Sequence, residues 1–272
     1  MSNWTHDLAI IGAGNMAEAI ARGVLKAKLF DPKRIIAADI SPQRRQFFEQ
    51  QLGIAAVQEN TTAARGSRIV LLSVKPQQME SALGELQPSL EPGVLIISIA
   101  AGISTSKIES SLGNGQWRIV RAMPNTPMLV GEGMVALCRG RGASAQDLST
   151  ARELFEVAAV VIEVEESQMD VVTAVSGSGP AYVFFLAEQM IRAGESLGLT
   201  AEQSQTLTIR TIAGAAKMLA TSDDSPQSLR KKVTSPGGTT QAAIEHMESE
   251  HVGESVVNAI GAAVARSREL GG

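Results

Sequence analysis

Five short runs of isoleucine, leucine and valine in the first half of the chain limit the possible folds more than any other feature. They are LAIIG (8–12), RIIAAD (34–39), RIVLLSV (68–74), VLIISIA (94–100) and WRIVRAM (117–123). The runs are nearly continuous in apolar residues, which is typical of parallel strands buried on both faces. Start signals for helices, at Ser41-Pro42, Asn60 and Ser104, lie between them. The pattern predicts a doubly wound α/β domain.

The strand pattern continues a little further and then stops. Two more strand-like runs, MVALC (134–138) and VVIEV (160–164), stand on either side of a helix that begins near Ser144, and we expect them to extend the sheet. After about residue 166 no strand pattern remains. The sequence therefore predicts two domains, an α/β domain over residues 1–166 and an all-α domain over 167–272.

The second domain carries clear helix signals. Pro180 lies near the start of a long apolar helix, Thr200 with Gln203 has the spacing of a capping box, and Ser225-Pro226 begins a short helix. The last helix, GESVVNAIGAAVARSREL, combines small residues with an apolar face. Such a face completes its core either against a second copy of the chain or within an intrachain bundle.

Composition narrows the class of partner. The chain has 24 basic and 28 acidic residues and a net charge of −4, so charge favours neither nucleic acid nor an anionic membrane. Its single cysteine, Cys138, cannot close an intrachain disulfide, and we expect it to be a buried small apolar residue in a reducing compartment. The N-terminal segment lacks a leader pattern, and no uninterrupted apolar stretch reaches the roughly 18 residues of a membrane span. We expect a cytoplasmic protein that acts on a small molecule.

The first strand runs directly into a glycine-rich turn, AIIGAGNMAEAI. Gly12 suits the tight turn, Gly14 lets the backbone approach a pyrophosphate, and the small Ala17 lets helix and strand pack closely. The helix that follows presents free N–H groups at its N-terminus. A GxGxxA string alone is weak evidence, but its place after the first strand of a βαβ unit favours a dinucleotide site.

The end of the second strand gives conflicting signals about the dinucleotide. Asp39 stands where a carboxylate holds the ribose hydroxyls of NAD. Ser41, Arg44 and Arg45 follow at once and have the chemistry to hold the 2′-phosphate of NADP. The two arginines are equally consistent with a solvated helix face, so the residues leave both cofactors open.

Two further strand ends belong to the same edge of the sheet, where open α/β sheets bind ligands. In SVKPQQ (73–78), Pro76 stops the strand and Lys75 is placed to approach a phosphate or ribose. In SIAAGIS (98–104), small residues leave room for a nicotinamide ring against the backbone. Lys75 is otherwise an ordinary exposed lysine.

Three more motifs follow in the order RAMPNTPMLVGEGM (121–134), AVSGSGPAYVF (174–184) and VTSPGGTTQAAI (233–244). With the earlier ones they resemble the 1-pyrroline-5-carboxylate reductase family, from Gly12 to the C-terminus. The resemblance implies a Rossmann-like dinucleotide-binding domain followed by a helical domain through which two subunits intertwine, often in a ring of dimers. It also implies hydride transfer from NADPH, or from NADH in some members, to a cyclic imine carboxylate, which yields proline.

The resemblance also assigns roles to individual residues, to which the sequence argument adds Arg44. The cofactor-binding residues would be Gly12, Ala13, Gly14, Asn15, Met16, Ala17, Ser41, Arg44, Asn60, Val74, Lys75, Pro76, Ala100 and Ala101. The substrate-binding residues would be Glu166, Gly237, Gly238, Thr239 and Thr240, with Thr240 and Ser235 as catalytic residues. Two residues depart from the family pattern: Asp39 is acidic where NADP-preferring members are usually neutral, and Lys232 stands where some relatives have a neutral amide.

The segment SPGGTT has the chemistry for an imine carboxylate without a basic side chain. Gly237 and Gly238 allow successive backbone N–H groups to turn towards the anion, and the following helix adds the positive end of its dipole. The hydroxyl of Thr240 is placed to meet the ring nitrogen, orient the substrate and relay a proton. The simpler interpretation is that Thr239 or Thr240 is only a helix N-cap.

Parts of the sequence also suit two other functions. A two-domain dehydrogenase of the β-hydroxyacid type would use a mid-helix lysine such as Lys217. A non-enzymatic dinucleotide-binding protein would have no use for a second anion site. His246 and His251, five residues apart, fall on different helix faces, so the sequence predicts no metal site.

Overall fold

An eight-stranded sheet forms the centre of the first part of the chain in the computed structural model, which describes residues 4–113 and 115–271. Its spatial order is β3-β2-β1-β4-β5-β6-β7-β8. The strands are β1 (His6–Ile11), β2 (Ile35–Ala38), β3 (Ala55–Val57), β4 (Ser67–Leu72), β5 (Leu95–Ser98), β6 (Arg118–Pro124), β7 (Gly133–Arg139) and β8 (Ala159–Glu163). All seven predicted runs form strands.

Every strand pairing is parallel except that of β6 with β7. The connection after β6 holds only a short 3₁₀ segment, Thr126–Val130, and parallel strands need a crossover of a dozen residues or more. The chain therefore turns back beside β6. The small strand β3 was not predicted, because its sequence AAV is alanine-rich and partly exposed and gives little strand signal.

Six helices accompany the sheet. They are α1 (Asn15–Lys26), α2 (Pro42–Phe47), α3 (Asn60–Ala64), α4 (Met79–Leu86), α5 (Thr105–Ser111) and α6 (Ala145–Glu156). Two large, separate clusters of buried apolar residues pack on the sheet, one containing Ile10, Phe48 and Phe155 and the other Ile11, Leu72 and Ile96. Ile10 and Ile11 are neighbours in β1, so the strand is buried on both faces. This confirms the predicted α/β class and the near-continuous apolar pattern on which it depended.

Most predicted helix starts are N-caps in the structure. The hydroxyls of Ser41, Ser104 and Ser144 accept hydrogen bonds from backbone N–H groups in the first turn of α2, α5 and α6. Asn60 is instead the first helical residue of α3, and Glu59 holds the N-cap position without a side-chain bond. The prediction there was wrong by one residue.

Helices alone follow β8 among the described residues. They are α7 (Met169–Val172), α8 (Gly179–Ser196), α9 (Ala201–Thr221), α10 (Pro226–Lys232), α11 (Thr239–Ser249) and α12 (Val252–Gly271). A π-helical turn, Thr173–Gly177, joins α7 to the start of α8. The capping box of Thr200 with Gln203 and the N-cap at Ser225 are both present as predicted.

The backbone forms two compact units. One contains residues up to Ser178 together with the C-terminal part of α12 from Ala263, and the other runs from Gly179 to Ala262. The end of the last helix thus belongs to the same unit as the sheet. The predicted boundary near residue 166, between a dinucleotide-binding and a helical domain, stays a prediction.

One continuous helical stretch, Glu166–Ser196, is long and apolar enough to cross a membrane by length and composition. The sequence criterion of an uninterrupted apolar run did not detect it, because glutamate and serine residues divide the apolar positions. Most of its apolar side chains are exposed, including Phe184 at 62% and Phe185 at 65%. A surface of this kind has to be covered by something other than water.

Candidate functional site

Gly12 makes the first turn of the candidate dinucleotide site possible. It follows β1, has a φ of +92°, and donates a hydrogen bond of 2.8 Å from its N–H to the carbonyl oxygen of Ala38. A β-carbon at this position would lie 2.8 Å from the carbonyl oxygen of Ser73. Both the backbone conformation and the contact with the end of β4 therefore require glycine.

Gly14 is present for a different reason. It is the N-cap of α1 with φ −74° and ψ −172°, an extended conformation open to any residue, and it gives the helix no side-chain cap. A β-carbon there would meet no protein atom within 4 Å. The space in front of the first N–H groups of α1 is therefore left open, which is the arrangement that binds phosphate groups.

A cleft of about 620 Å³ opens at this turn, at the carboxyl ends of the strands. Five of the predicted cofactor residues line it, namely Gly12, Gly14, Asn60, Val74 and Lys75. The lining also includes residues that the sequence argument missed, among them Ile40, Gln58, Ser73, Gln78 and Ser81. Their place after strands β2, β3 and β4 is the signal that would have found them.

The other predicted cofactor residues support the turn or lie outside the cleft wall. Ala13 and Ala17 are fully buried under the turn, which agrees with a need for small residues there. Asn15 and Met16 form the first residues of α1, and Pro76 begins a short 3₁₀ segment after Lys75. Ser41 is the N-cap of α2.

Asp39 joins the two loops that border the cleft. One carboxylate oxygen accepts a hydrogen bond of 2.8 Å from the N–H of Ala13, and the other accepts one of 2.8 Å from the N–H of Ser41. The carboxylate therefore holds the glycine-rich turn to the end of β2. The sequence alone left NAD and NADP open at this position. The two hydrogen bonds give a structural reason for an acidic residue here, independent of which cofactor binds.

Arg44 and Arg45 are also bound to these loops. The guanidinium of Arg44 donates to the carbonyl oxygen of Ala13 at 2.5 Å, pairs with Glu18 at 3.0 Å and stacks 4.8 Å from the ring centre of Phe47. Arg45 donates to the carbonyl oxygens of Asp39 and Ile40. Neither side chain is simply a solvated helix face.

Ala100 and Ala101 lie in the loop between β5 and α5. Ala100 is buried, and Ala101 is partly exposed. The loop is bound where α5 begins: Glu166 accepts hydrogen bonds from the N–H of Thr105 at 2.6 Å and from its hydroxyl at 2.7 Å. The structure therefore brings the predicted substrate residue Glu166 to the element that carries the predicted nicotinamide-side residues.

The predicted substrate loop, residues 235–240, lies in the second compact unit. Gly238 is the N-cap of α11, with φ −85° and ψ 172°, and no side chain caps this helix. The idea that Thr239 or Thr240 is the N-cap is therefore wrong, since both are helical residues. Of the two glycines in this loop, Gly237 has a positive φ, at +69°.

The donors of this loop divide into two groups. The N–H of Gly237 donates to the side-chain oxygen of Gln241 at 2.7 Å, and the N–H of Gly238 donates to the carbonyl oxygen of Ser235 at 3.0 Å. Within the described residues no hydrogen bond engages the N–H groups or hydroxyls of Thr239 and Thr240. These two threonines therefore carry free donors at the start of α11, including both free hydroxyls.

Other candidate residues have structural partners. Lys232 pairs with Asp224, and this hydrogen bond holds the pKa of Asp224 below its usual value. Cys138 is buried as predicted, and desolvation, followed by the charge of Glu166, raises the pKa of its thiol to about 12. Lys217 is an exposed residue of α9. In the described part of the chain, no three His, Cys, Asp or Glu side chains form a metal-binding group.

Two family profiles match the chain. Residues 166–270 match the profile described as pyrroline-5-carboxylate reductase dimerisation, and residues 7–102 match one described as NADP oxidoreductase coenzyme F420-dependent. The pyrroline-5-carboxylate reductase of Pseudomonas aeruginosa is 41% identical over 267 residues, which cover 98% of this chain and 97% of that protein.

Solved structures agree with these matches. The pyrroline-5-carboxylate reductase of Coxiella burnetii is 39% identical with a TM-score of 0.89, covering 98% of this chain and 99% of that one. The Plasmodium falciparum pyrroline carboxylate reductase, solved with NADP bound, is 32% identical with a TM-score of 0.89 and 99% coverage of both chains.

Two glycine substitutions should separate the fold of the turn from its binding of a dinucleotide. Gly12→Ala places an alanine at a positive φ and brings its β-carbon into a clash with Ser73. We therefore expect a lower melting temperature as well as weaker dinucleotide binding. Gly14→Ala clashes with nothing in the protein and only replaces a good N-cap residue by a poor one, so we expect a small drop in melting temperature, and dinucleotide affinity reduced about tenfold or more, where tenfold is ~1.4 kcal/mol. Thermal melts and fluorescence titration measure the two effects. Wild-type affinity in Gly14→Ala would contradict the assignment.

Proposed function

Because this chain belongs to the pyrroline-5-carboxylate reductase family and reduces 1-pyrroline-5-carboxylate to L-proline in the last step of proline biosynthesis, we propose how its residues perform that reaction. The proposal rests on how two helices begin. Both α1 and α11 begin at a glycine N-cap in extended conformation without a side-chain cap. One such N-terminus suits a pyrophosphate and the other a substrate carboxylate.

The open space at Gly14 fits the pyrophosphate of a nicotinamide dinucleotide. Because Gly14 has no β-carbon, the pyrophosphate would approach the backbone closely. Asn60, Val74, Lys75 and Pro76 would then contact the adenosine side of the cleft. Ala100 and Ala101 would lie against the nicotinamide. When bound, the cofactor supplies the hydride to the substrate. The protein supplies position and charge.

We assign NADPH as the preferred donor. Both oxygens of Asp39 already accept hydrogen bonds from Ala13 and Ser41, which supports a structural use of this carboxylate over a contact with ribose hydroxyls. Ser41, Arg44 and Arg45 border the same loop and carry the hydroxyl and guanidinium groups that suit a 2′-phosphate. NADH is the alternative donor, and Asp39 is the residue that would favour it.

The substrate carboxylate would bind at the start of α11. The N–H groups and hydroxyls of Thr239 and Thr240 are free donors there, while the N–H groups of Gly237 and Gly238 shape the loop through bonds to Gln241 and Ser235. Ser235 adds an exposed hydroxyl. Glu166 remains a proposed substrate residue, using the lone pairs that its two bonds to Thr105 leave free.

Reduction of the imine adds a hydride to the carbon of the C=N bond and a proton to the nitrogen. The protonated iminium is the better electrophile, and the hydroxyl of Thr240 would hydrogen-bond the ring nitrogen and relay a proton to it. A threonine hydroxyl is a weak acid. Most of the rate enhancement is therefore assigned to holding two reactants side by side.

The exposed apolar side chains of α8 support a homodimer formed by the helical residues. Val183, Phe184, Phe185 and Leu186 are all more than 40% exposed, and the dimerisation profile covers this segment. A second copy, rather than lipid, is the proposed cover, because the same helical stretch carries Glu188 and Arg192 among its apolar residues. The lone Cys138, buried and protonated at neutral pH, supports a reducing compartment, and we propose the cytoplasm.

The cofactor assignment predicts an altered preference in Arg44→Ala with Arg45→Ala. Loss of charge-assisted hydrogen bonds to a 2′-phosphate, worth about 1.5–3 kcal/mol, should lower kcat/KM for NADPH about tenfold to a hundredfold relative to kcat/KM for NADH. Comparing the two cofactors matters because Arg44 also supports the glycine-rich turn, and that loss would weaken both equally. Arg22→Ala is the matched control, since Arg22 shares the Glu18 partner and makes no bond to the turn. An unchanged ratio would refute the phosphate site.

The substrate assignment predicts that Thr240→Ala reduces the imine about ten to a hundred times more slowly, the loss of one charge-assisted hydrogen bond of about 1.5–3 kcal/mol. Affinity for NADPH should stay nearly unchanged. Thr240→Ser keeps the hydroxyl and should retain most activity. Gly238→Val should be worse than Thr240→Ala, since a β-carbon there lies 3.1 Å from the carbonyl oxygen of Ser235 and a branched side chain crowds the anion. Steady-state kinetics with a circular dichroism check measures this, and full activity in Thr240→Ala would remove the residue from the mechanism.

The assembly proposal predicts a mass of two chains or a multiple of two by multi-angle light scattering at micromolar concentration. Phe185→Glu should shift the protein towards smaller species or insolubility, because it places a charge in an apolar interface. Phe185→Leu, which preserves an apolar surface, is the control and should assemble normally. A stable wild-type monomer would be incompatible with the proposal.

A further inference from the structure

The last turn of α12 lies directly against the loop that joins β5 to α5. Gly102, in this loop, has a φ of +78°, and a β-carbon on it would lie 2.7 Å from the carbonyl oxygen of Ser267 and 3.1 Å from the Cβ of Leu270. The two backbones therefore touch with no room for a side chain between them. The loop that carries Ala100 and Ala101 rests on the end of the chain.

A buried hydroxyl fixes this turn of α12. Ser267 is 3% exposed, and its hydroxyl donates a hydrogen bond of 2.7 Å to one carboxylate oxygen of Asp170, on α7. A second bond holds the same turn at the surface, from the amino group of Lys107 on α5 to the carbonyl oxygen of Gly271 at 2.7 Å. Because Ser267 is both the donor to Asp170 and the contact of Gly102, a shift at one is felt at the other.

Arg121 connects Asp170 to the start of the loop. Its side chain is 5% exposed, and its guanidinium lies 3.6 Å from Glu166 and 3.8 Å from Asp170. Arg121 is on β6, directly opposite Ser98 at the end of β5. The loop begins at the residue after Ser98. The positive charge of this buried guanidinium attracts both carboxylates, which favours their positions on either side of it.

Glu166 closes the arrangement at the other end of the loop, where it accepts both hydrogen bonds from Thr105. The loop is thus held at its start beside Arg121, in its middle by the α12 turn, and at its end by Glu166. All of these contacts lie within the first compact unit. This group of Arg121, Glu166, Asp170 and Ser267 is called the loop clamp below.

We propose that Ser267 and Asp170 are positioning residues for hydride transfer, because through the loop clamp they set the height of the Ala100–Ala101 backbone under the nicotinamide. The inference rests on the proposed placement of the nicotinamide against this loop. A displacement of one ångström between reacting groups costs about a hundredfold in rate. Affinity for the dinucleotide comes mainly from the turn after β1 and the ends of β2 and β4, which the clamp does not touch. Loss of the clamp should therefore slow the chemistry and spare binding.

The test is Ser267→Ala in the full-length enzyme, with single-turnover reduction followed by NADPH absorbance. We expect the hydride-transfer rate to fall about tenfold, a fraction of the ~hundredfold cost of a full ångström, while the NADPH dissociation constant stays within about twofold of wild type. Ser255→Ala is the matched control, because Ser255 is on the same helix and its hydroxyl bonds only to the carbonyl oxygen of His251, at 3.1 Å. It should react at the wild-type rate.

A second pair of variants tests the route of the effect. Asp170→Asn keeps an acceptor oxygen for Ser267 and should retain more activity than Asp170→Ala. The double variant Ser267→Ala with Asp170→Ala should be no slower than the slower single variant, since both remove one interaction. Additive rate losses, or a wild-type hydride-transfer rate in Ser267→Ala, would overturn the proposal.

The outcomes also separate this proposal from the placement on which it rests. If the loop does not lie under the nicotinamide, then Gly102→Ala, which forces the loop away from α12, will leave the hydride-transfer rate of the folded enzyme unchanged. If the loop lies there but the clamp is unimportant, Gly102→Ala will be slow and Ser267→Ala will be fast. Only slow reaction in both supports the clamp.

Discussion

Two helix N-termini without side-chain caps are the constraint on which the site depends. Several other helices of this chain are capped by hydroxyls, as at Ser144 and Thr200, and such groups would fill the space that an anion needs. At α1 and α11 a glycine holds the N-cap in a conformation that any residue adopts. Since the backbone does not require glycine there, the proposed function gives the absence of a side chain a reason, because the anionic groups of cofactor and substrate would approach these N–H groups.

The features that the sequence predicted correctly are those that depend on neighbouring residues in the chain. Apolar runs and N-cap serines are local, and the strands and most helix starts lie within one or two residues of the predicted positions. The reversal of β7 was missed because it depends on the length of the connection after β6. The partners of Asp39 were missed because Ala13 is 26 residues away, and a carboxylate in a sequence shows no sign of which backbone N–H it will meet.

The same limit applies to Arg44. Its residue type and place suggested a 2′-phosphate contact, and the fold shows that its guanidinium also supports the carbonyl side of the glycine-rich turn. Five donors on one guanidinium allow both uses, because the bonds to Ala13, Gly14 and Glu18 leave further N–H groups unengaged. In the proposed site, such a residue would couple the shape of the turn to the preference for one dinucleotide.

The C-terminal helix shows how a division of the chain by secondary-structure pattern differs from a division by contact. By pattern, everything after residue 166 is helical. By contact, the residues from Ala263 onward belong with the sheet. The backbone of Ser267 packs against Gly102, which has no β-carbon, and Lys107 donates a hydrogen bond to the carbonyl oxygen of Gly271. No local signal marks this return, since Ser267 is a serine in an ordinary helical pattern and Gly102 is one glycine among 25. Their contact becomes evident only in the fold, where the carbonyl oxygen of Ser267 occupies the space that a β-carbon on Gly102 would need.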